Sequence, residues 1–153
     1  MAQQLLRSPV ASASILGFGL ALMLLPALTA VSVPMPGAPM DRPVTDPGVQ
    51  QAAAFAVQVY NKASNSAFYY KAMRILSARS QVVEGIKYYL TVELVNTLCE
   101  KRGGSGLNHV DLEHCTVASV ADQRKQICEF QIWSRPWLND TRLEDMSCKA
   151  ASS

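Results

Sequence analysis

Charge is scarce in this sequence, and the scarcity excludes whole classes of function. Only 17% of the 153 residues are Asp, Glu, Lys or Arg, and 14 basic against 12 acidic side chains leave a formal net charge of +2. The Lys and Arg residues are scattered and build no basic block, so the electrostatic footprint of a nucleic-acid-binding protein is missing. Histidine is rarer still: His109 and His114 are the two, and no C-x2-C pair accompanies them. A zinc site is therefore not expected, nor is any cofactor. A thiol hydrolase would need a free cysteine with a partnered histidine, and neither histidine stands in such a motif, so an enzyme is not expected either. No internal repeat is present.

The longest gap in charge lies near the amino terminus, where no charged residue occurs between Arg7 and Asp41. Within it, ASILGFGLALMLLPALTA follows a short segment holding one Arg, the composition of a secretory signal peptide spanning residues 1–30. A membrane anchor is the alternative, since the run is nearly long enough to span a bilayer. Pro26 and the small residues after it favour cleavage after Ala30 or Ser32. Removal leaves about 120 residues outside the cytosol and off the membrane. From residue 31 to 46 the chain is rich in Pro and Gly and reads as a mobile arm, with the folded domain expected over 47–153.

What the sequence does hold is organised. Cys99, Cys115, Cys128 and Cys148 all fall in the last third, and a secreted chain pairs an even set. Three connectivities are open. Sequential pairing, Cys99–Cys115 and Cys128–Cys148, closes two short loops and is favoured, each bridge contributing on the order of 3 kcal/mol in the chain-entropy model. Asp46 has the chemistry of an N-cap, with Pro47 at the first helical position. Apolar residues at Val49, Ala52, Ala53, Ala56, Val59, Tyr60 and Ala63 predict a helix over 47–63.

After Asn65 the period becomes two. Phe68 to Ser80 and Ile86 to Cys99 predict strands half exposed to water, with Lys71, Arg74, Lys87 and Glu93 interleaved on them. Lys101 to Cys115, with three glycines, predicts a loop, and Gln123 to Trp133 and Thr141 to Cys148 predict two further strands. The expected fold is α+β, one helix packed across an antiparallel sheet. In such a sheet the tip at 81–85 and the tip at 135–138 emerge from the same end. Both tips are apolar where turns are usually polar: Val82 and Val83 at one, Pro136, Trp137 and Leu138 at the other. Either pair alone could be core or strand end; together they predict an exposed apolar edge built for a partner.

These residues carry a resemblance. Gln81-Val82-Val83-Glu84-Gly85 matches the Q-x-V-x-G motif of the cystatins, Pro136-Trp137 matches their second-hairpin Pro-Trp, and the four cysteines resemble those of the secreted type 2 members. Coverage runs from about Pro36 to Cys148, and GIKYYLTVEL and HVDLEHC look closest to the M/E branch. The resemblance implies a cystatin fold, one long helix on a four- to five-stranded antiparallel sheet. It also implies inhibition of papain-like cysteine proteases, cathepsins among them, by a three-part wedge. Gly37 would be the hinge of the arm, Gln81 to Gly85 the central loop, and Pro136 and Trp137 the third contact. Two positions depart from the family pattern: Pro34-Met35-Pro36 precede Gly37, with Ala38 in place of a second glycine, and Glu84 replaces a common alanine.

Asn65, in KASNS, aligns with the asparagine through which some type 2 cystatins inhibit legumain. The competing reading is a helix-terminal Asn chosen for its tolerance of a left-handed backbone. Asn139-Asp140-Thr141 is an N-glycosylation sequon. A monomer is expected, with a domain-swapped dimer as the alternative because an open hairpin tip can act as a hinge. A cystatin-fold module that has lost inhibition is the alternative function. The expected localisation is extracellular, or endolysosomal after uptake.

Overall fold

The computed structural model describes residues 37–101 and 111–152. The expected signal peptide, the arm up to Pro36 and the loop segment holding His109 lie outside the described residues.

The helix α1 spans Pro47–Ala63, as the sequence pattern predicts. It begins there because the Asp46 carboxylate accepts the backbone N–H groups of Gly48 at 2.9 Å and Val49 at 3.2 Å, two donors that no helical carbonyl can reach. Its buried stripe is Val49, Ala52, Ala53, Ala56, Val57, Tyr60 and Asn61. Val57 and Asn61 continue the row of four-residue steps from Val49 and Ala53, whereas Val59 is half-buried and Ala63 exposed. Three alanines on the stripe keep the helix close to the sheet.

One short strand before the helix and four after it form an antiparallel sheet in the order β1-β2-β3-β4-β5. They are β1 (Met40–Asp41), β2 (Phe68–Val83), β3 (Gly85–Glu100), β4 (Lys125–Arg135) and β5 (Asp140–Ala150). The core lies between α1 and one sheet face, where Tyr70, Ala78, Tyr88, Leu90, Val92, Leu94, Cys128, Phe130 and Ile132 meet the helix. Both sequential disulfides form, Cys99–Cys115 and Cys128–Cys148. The first, with a bridge between Thr97 and Val117, ties the 111–118 segment to β3, and Leu112 of that segment packs against the core.

Three features depart from the sequence expectation. Part of the arm is structured: Met40 pairs with Ser80 and Asp41 with Arg79, a strand too short to leave a periodic signal. The first hairpin is tighter than its sequence suggests, because β2 and β3 run on to Val83 and Gly85 and leave Glu84 alone at the apex. Glu93, expected half exposed, is 5% exposed. Its carboxylate is compensated by Arg74 at 3.0 Å and by Lys125 at 3.9 Å, which removes most of the penalty for a buried charge.

Candidate functional site

The two hairpin tips stand side by side. Ile86, just past the first tip, pairs with Ser134, just before the second. The first tip turns at Gly85, whose φ of +103° is a left-handed conformation that a side chain resists. A Cβ there would sit 2.5 Å from the Ser134 carbonyl oxygen and 2.8 Å from Cγ of Arg135, so the glycine is also what lets the hairpins touch. The second tip is a 3-10 turn, Pro136–Leu138, closed by the Asn139 N–H donating to the Pro136 carbonyl at 3.0 Å. Asn139 takes the left-handed backbone, φ 50°, that the turn requires.

Apolar surface is uncovered on both tips. Val82 is 78% exposed and Val83 42%, while Trp137 is 64% and Leu138 55%. The structure thus gathers Val82, Val83, Glu84, Gly85, Pro136 and Trp137 at one end of the sheet. Gly37 reaches the same end, because the Gln81 amide donates to its carbonyl oxygen. Gln81 accepts in turn from the Tyr89 hydroxyl at 3.0 Å, and the Arg42 N–H bonds the Ala78 carbonyl at 2.9 Å. Gln81 is therefore half-buried and stitches the arm to the hairpin. Sequence reasoning placed it on the contact surface.

Trp133, Arg135 and Asp140 were missed in the sequence. The Trp133 indole N–H donates to the Glu84 carbonyl at 2.8 Å, and the Arg135 guanidinium lies 4.2 Å from the centre of the Trp133 ring. Arg135 is ion-paired to Asp140, which also accepts from Arg142 at 2.9 Å. A tryptophan and an arginine two residues apart, on one face of a strand beside an exposed tip, are the signal that could have found them.

Arg135 first, and then Arg142, hold the Asp140 carboxyl below the usual carboxylate range. A depressed folded-state pKa contributes stability above the unfolded range and loses it as pH falls through the folded value. The second hairpin should therefore weaken only below about pH 4. Asp140→Asn should melt lower than the wild type at pH 7, and the gap should close as pH falls into that acid range. Thermal melting of both proteins across pH 2 to 7 measures it.

Asn65 lies at the far end of β2 from the tips, separated by that 16-residue strand. Its backbone is not left-handed, since Asn139 is the one non-glycine residue with positive φ among those described, so the capping explanation for Asn65 fails. The loop that carries it is pinned. Lys101 Nζ donates to the carbonyls of Asn61 at 2.7 Å and Ser64 at 3.0 Å, and the Ser66 N–H donates to Ser64 Oγ at 3.2 Å. Asn65 itself is exposed.

All four cysteines are consumed by disulfides, which leaves no thiolate for nucleophilic or metal chemistry. Among the described residues, no three His, Cys, Asp or Glu side chains cluster closely enough to hold a metal ion. No described helix is long and apolar enough to cross a membrane.

Comparison with known proteins agrees with this geometry. The family model for the cystatin domain matches residues 37–137, from the arm glycine to the tryptophan of the second tip. The cystatin of Pseudonaja textilis is 50% identical over 128 residues, covering 84% of this chain and 88% of that protein. Dimeric human cystatin F superposes with a TM-score of 0.68 at 30% identity, covering 84% of this chain and 98% of that one. A gut cystatin of Ixodes ricinus, mialostatin, shares the fold at a TM-score of 0.62 and 22% identity. Motif, architecture and relatives agree that the chain is no enzyme and belongs to the cystatin family of cysteine protease inhibitors.

Proposed function

We propose that this cystatin is a secreted, reversible, tight-binding inhibitor of papain-like cysteine proteases, cathepsins included, which enters their active-site cleft as a three-part wedge. Gly37 with its arm, the Gln81 to Gly85 hairpin and Pro136-Trp137 are the three parts. The observation that carries the reading is the uncovered apolar surface of Val82, Val83 and Trp137 on two braced neighbouring tips. Burying those side chains in a groove is worth on the order of several kcal/mol at roughly 25 cal/mol per Å². Because the tips are already held, docking loses little conformational entropy and the contact energy survives as affinity. The inhibitor blocks access without being consumed. Glu84, exposed at the apex, sits at the wet rim or meets a basic group of the enzyme.

Secretion is supported by the charge-free apolar run before Asp41 and by the two disulfides. A glycan on the exposed Asn139 would stand beside Trp137 and must point away from the cleft. The active form is the monomer, because a domain swap would straighten the first hairpin and remove the central contact. Titration of the secreted protein against papain, a cathepsin panel and legumain tests the reading. Sub-stoichiometric residual papain activity that recovers on dilution supports it, whereas no inhibition of any of these enzymes would leave a cystatin-fold module with another partner.

A second, separate activity is favoured by the pinned loop around Asn65: inhibition of legumain, which recognises asparagine. Asn65→Ala should abolish legumain inhibition and leave papain inhibition unchanged, since up to about 50 Å of strand separates the two sites at 3.3 Å per residue. Parallel inhibition assays of that variant decide it.

A further inference from the structure

We propose that Trp133 and Arg135 are positioning residues for inhibition: the Trp133 indole docks the apex of the first hairpin onto the second, so that the two tips meet the protease as one rigid body. This rests on the wedge reading above.

Glu84 is the only residue between the last pair of the β2–β3 ladder, Val83 with Gly85. Its carbonyl lies beyond the ladder, at the end of a hairpin with two 16-residue arms, and would be free to sway. The Trp133 N–H captures that carbonyl at 2.8 Å. The ring cannot turn away easily, because the Arg135 guanidinium covers it at 4.2 Å. Arg135 is fixed in turn by the Asp140 carboxylate, the first residue of β5, which Arg142 also holds at 2.9 Å. A continuous relay thus runs from β5 through Asp140, Arg135 and Trp133 to the apex of the other hairpin. Its Arg135–Asp140 link closes the base of the turn that carries Pro136-Trp137. Gly85 lets the apex approach, since a Cβ at that position would lie only 3.2 Å from Trp133 Nε1. None of these groups needs to touch the protease to matter: their effect is to freeze the apex before docking, which lowers the entropy lost in the complex.

The test is Trp133→Phe, which keeps an aromatic ring for Arg135 and removes the N–H donor with one ring of the indole. Nitrogen-15 relaxation of the Glu84 and Gly85 amides should report a newly mobile apex, with the thermal midpoint of the protein lowered by no more than the few degrees that one hydrogen bond is worth. Dissociation from papain should quicken about five- to tenfold, the loss of one hydrogen bond, with association unaffected. A purely structural residue would not single out the dissociation rate. In a double-mutant cycle, Val83→Ala and Trp137→Ala should be coupled in the wild type and additive in the Trp133→Phe background. Wild-type order of the apex amides in Trp133→Phe overturns the proposal, and so does a mobile apex with an unchanged dissociation rate. Should the wild type fail to bind papain at all, the wedge itself falls, and the apex amides still decide whether Trp133 holds the loop.

Discussion

Gly85→Ala should weaken papain inhibition by about 100-fold, a loss of roughly 2.8 kcal/mol in binding, and should cost about 1–3 kcal/mol of folding stability as well. Two penalties act together at this position. Alanine resists a φ of +103°, and its Cβ would lie 2.5 Å from the backbone oxygen of Ser134. A carbonyl oxygen in a paired strand cannot move aside as a flexible side chain can, so the first hairpin must shift away from the second. That shift separates the Val83 and Trp137 surfaces and breaks the hydrogen bond from Trp133 to the Glu84 carbonyl. Gly37 provides the control. It also has a positive φ, +87°, but a Cβ there meets no atom within 4 Å. Gly37→Ala should therefore cost backbone strain only, and its inhibition constant should move less than that of Gly85→Ala. Inhibition constants for papain with urea unfolding curves of the three proteins test both statements.

Asn61→Ala should destabilise the fold by about 2–4 kcal/mol, the largest stability effect expected of a single polar side chain here. Asn61 is 2% exposed, and its amide donates to the Tyr70 carbonyl while its side-chain oxygen accepts the Tyr70 N–H, both at 2.8 Å. These are the groups that a neighbouring strand would normally satisfy. β1 pairs with β2 only at Arg79 and Ser80, so among the described residues no strand lies beside the edge of β2 near Tyr70, and the asparagine takes that place. Truncation leaves a buried donor and a buried acceptor without partners and opens a small cavity. Asn61→Asp should also destabilise, because a carboxylate keeps the acceptor but loses the donor and buries charge. Urea denaturation at neutral pH measures both.

Much of this architecture was legible in the sequence because it depends on local chemistry. Asp46-Pro47 and a stripe of alanines and valines define α1 without reference to anything distant. The change to a period of two, the Gly85 turn and the Pro136 turn define the hairpins in the same way. The residues that escaped are those whose role is set by a neighbour far along the chain. Asn61 looks like an ordinary polar residue near a helix end until Tyr70 is placed beside it. Glu93 looks like a solvent-facing charge until Arg74 and Lys125 close on it. Gln81 belongs to the motif, yet its side chain serves the arm and Tyr89. Trp133 follows the alternation of β4, and nothing local reveals that its indole reaches across to another hairpin.

The Cys128–Cys148 bridge has a consequence for the survival of the molecule among its targets. β5 is an edge strand, and of its side chains only Leu143 and Met146 pack against the core, so modest apolar burial keeps it in place. Proteases digest polypeptide that peels loose and lies extended. With its last turn of ladder welded to β4, this strand cannot unzip from its carboxyl end. An inhibitor that spends its working life pressed against peptidases thereby avoids becoming their meal.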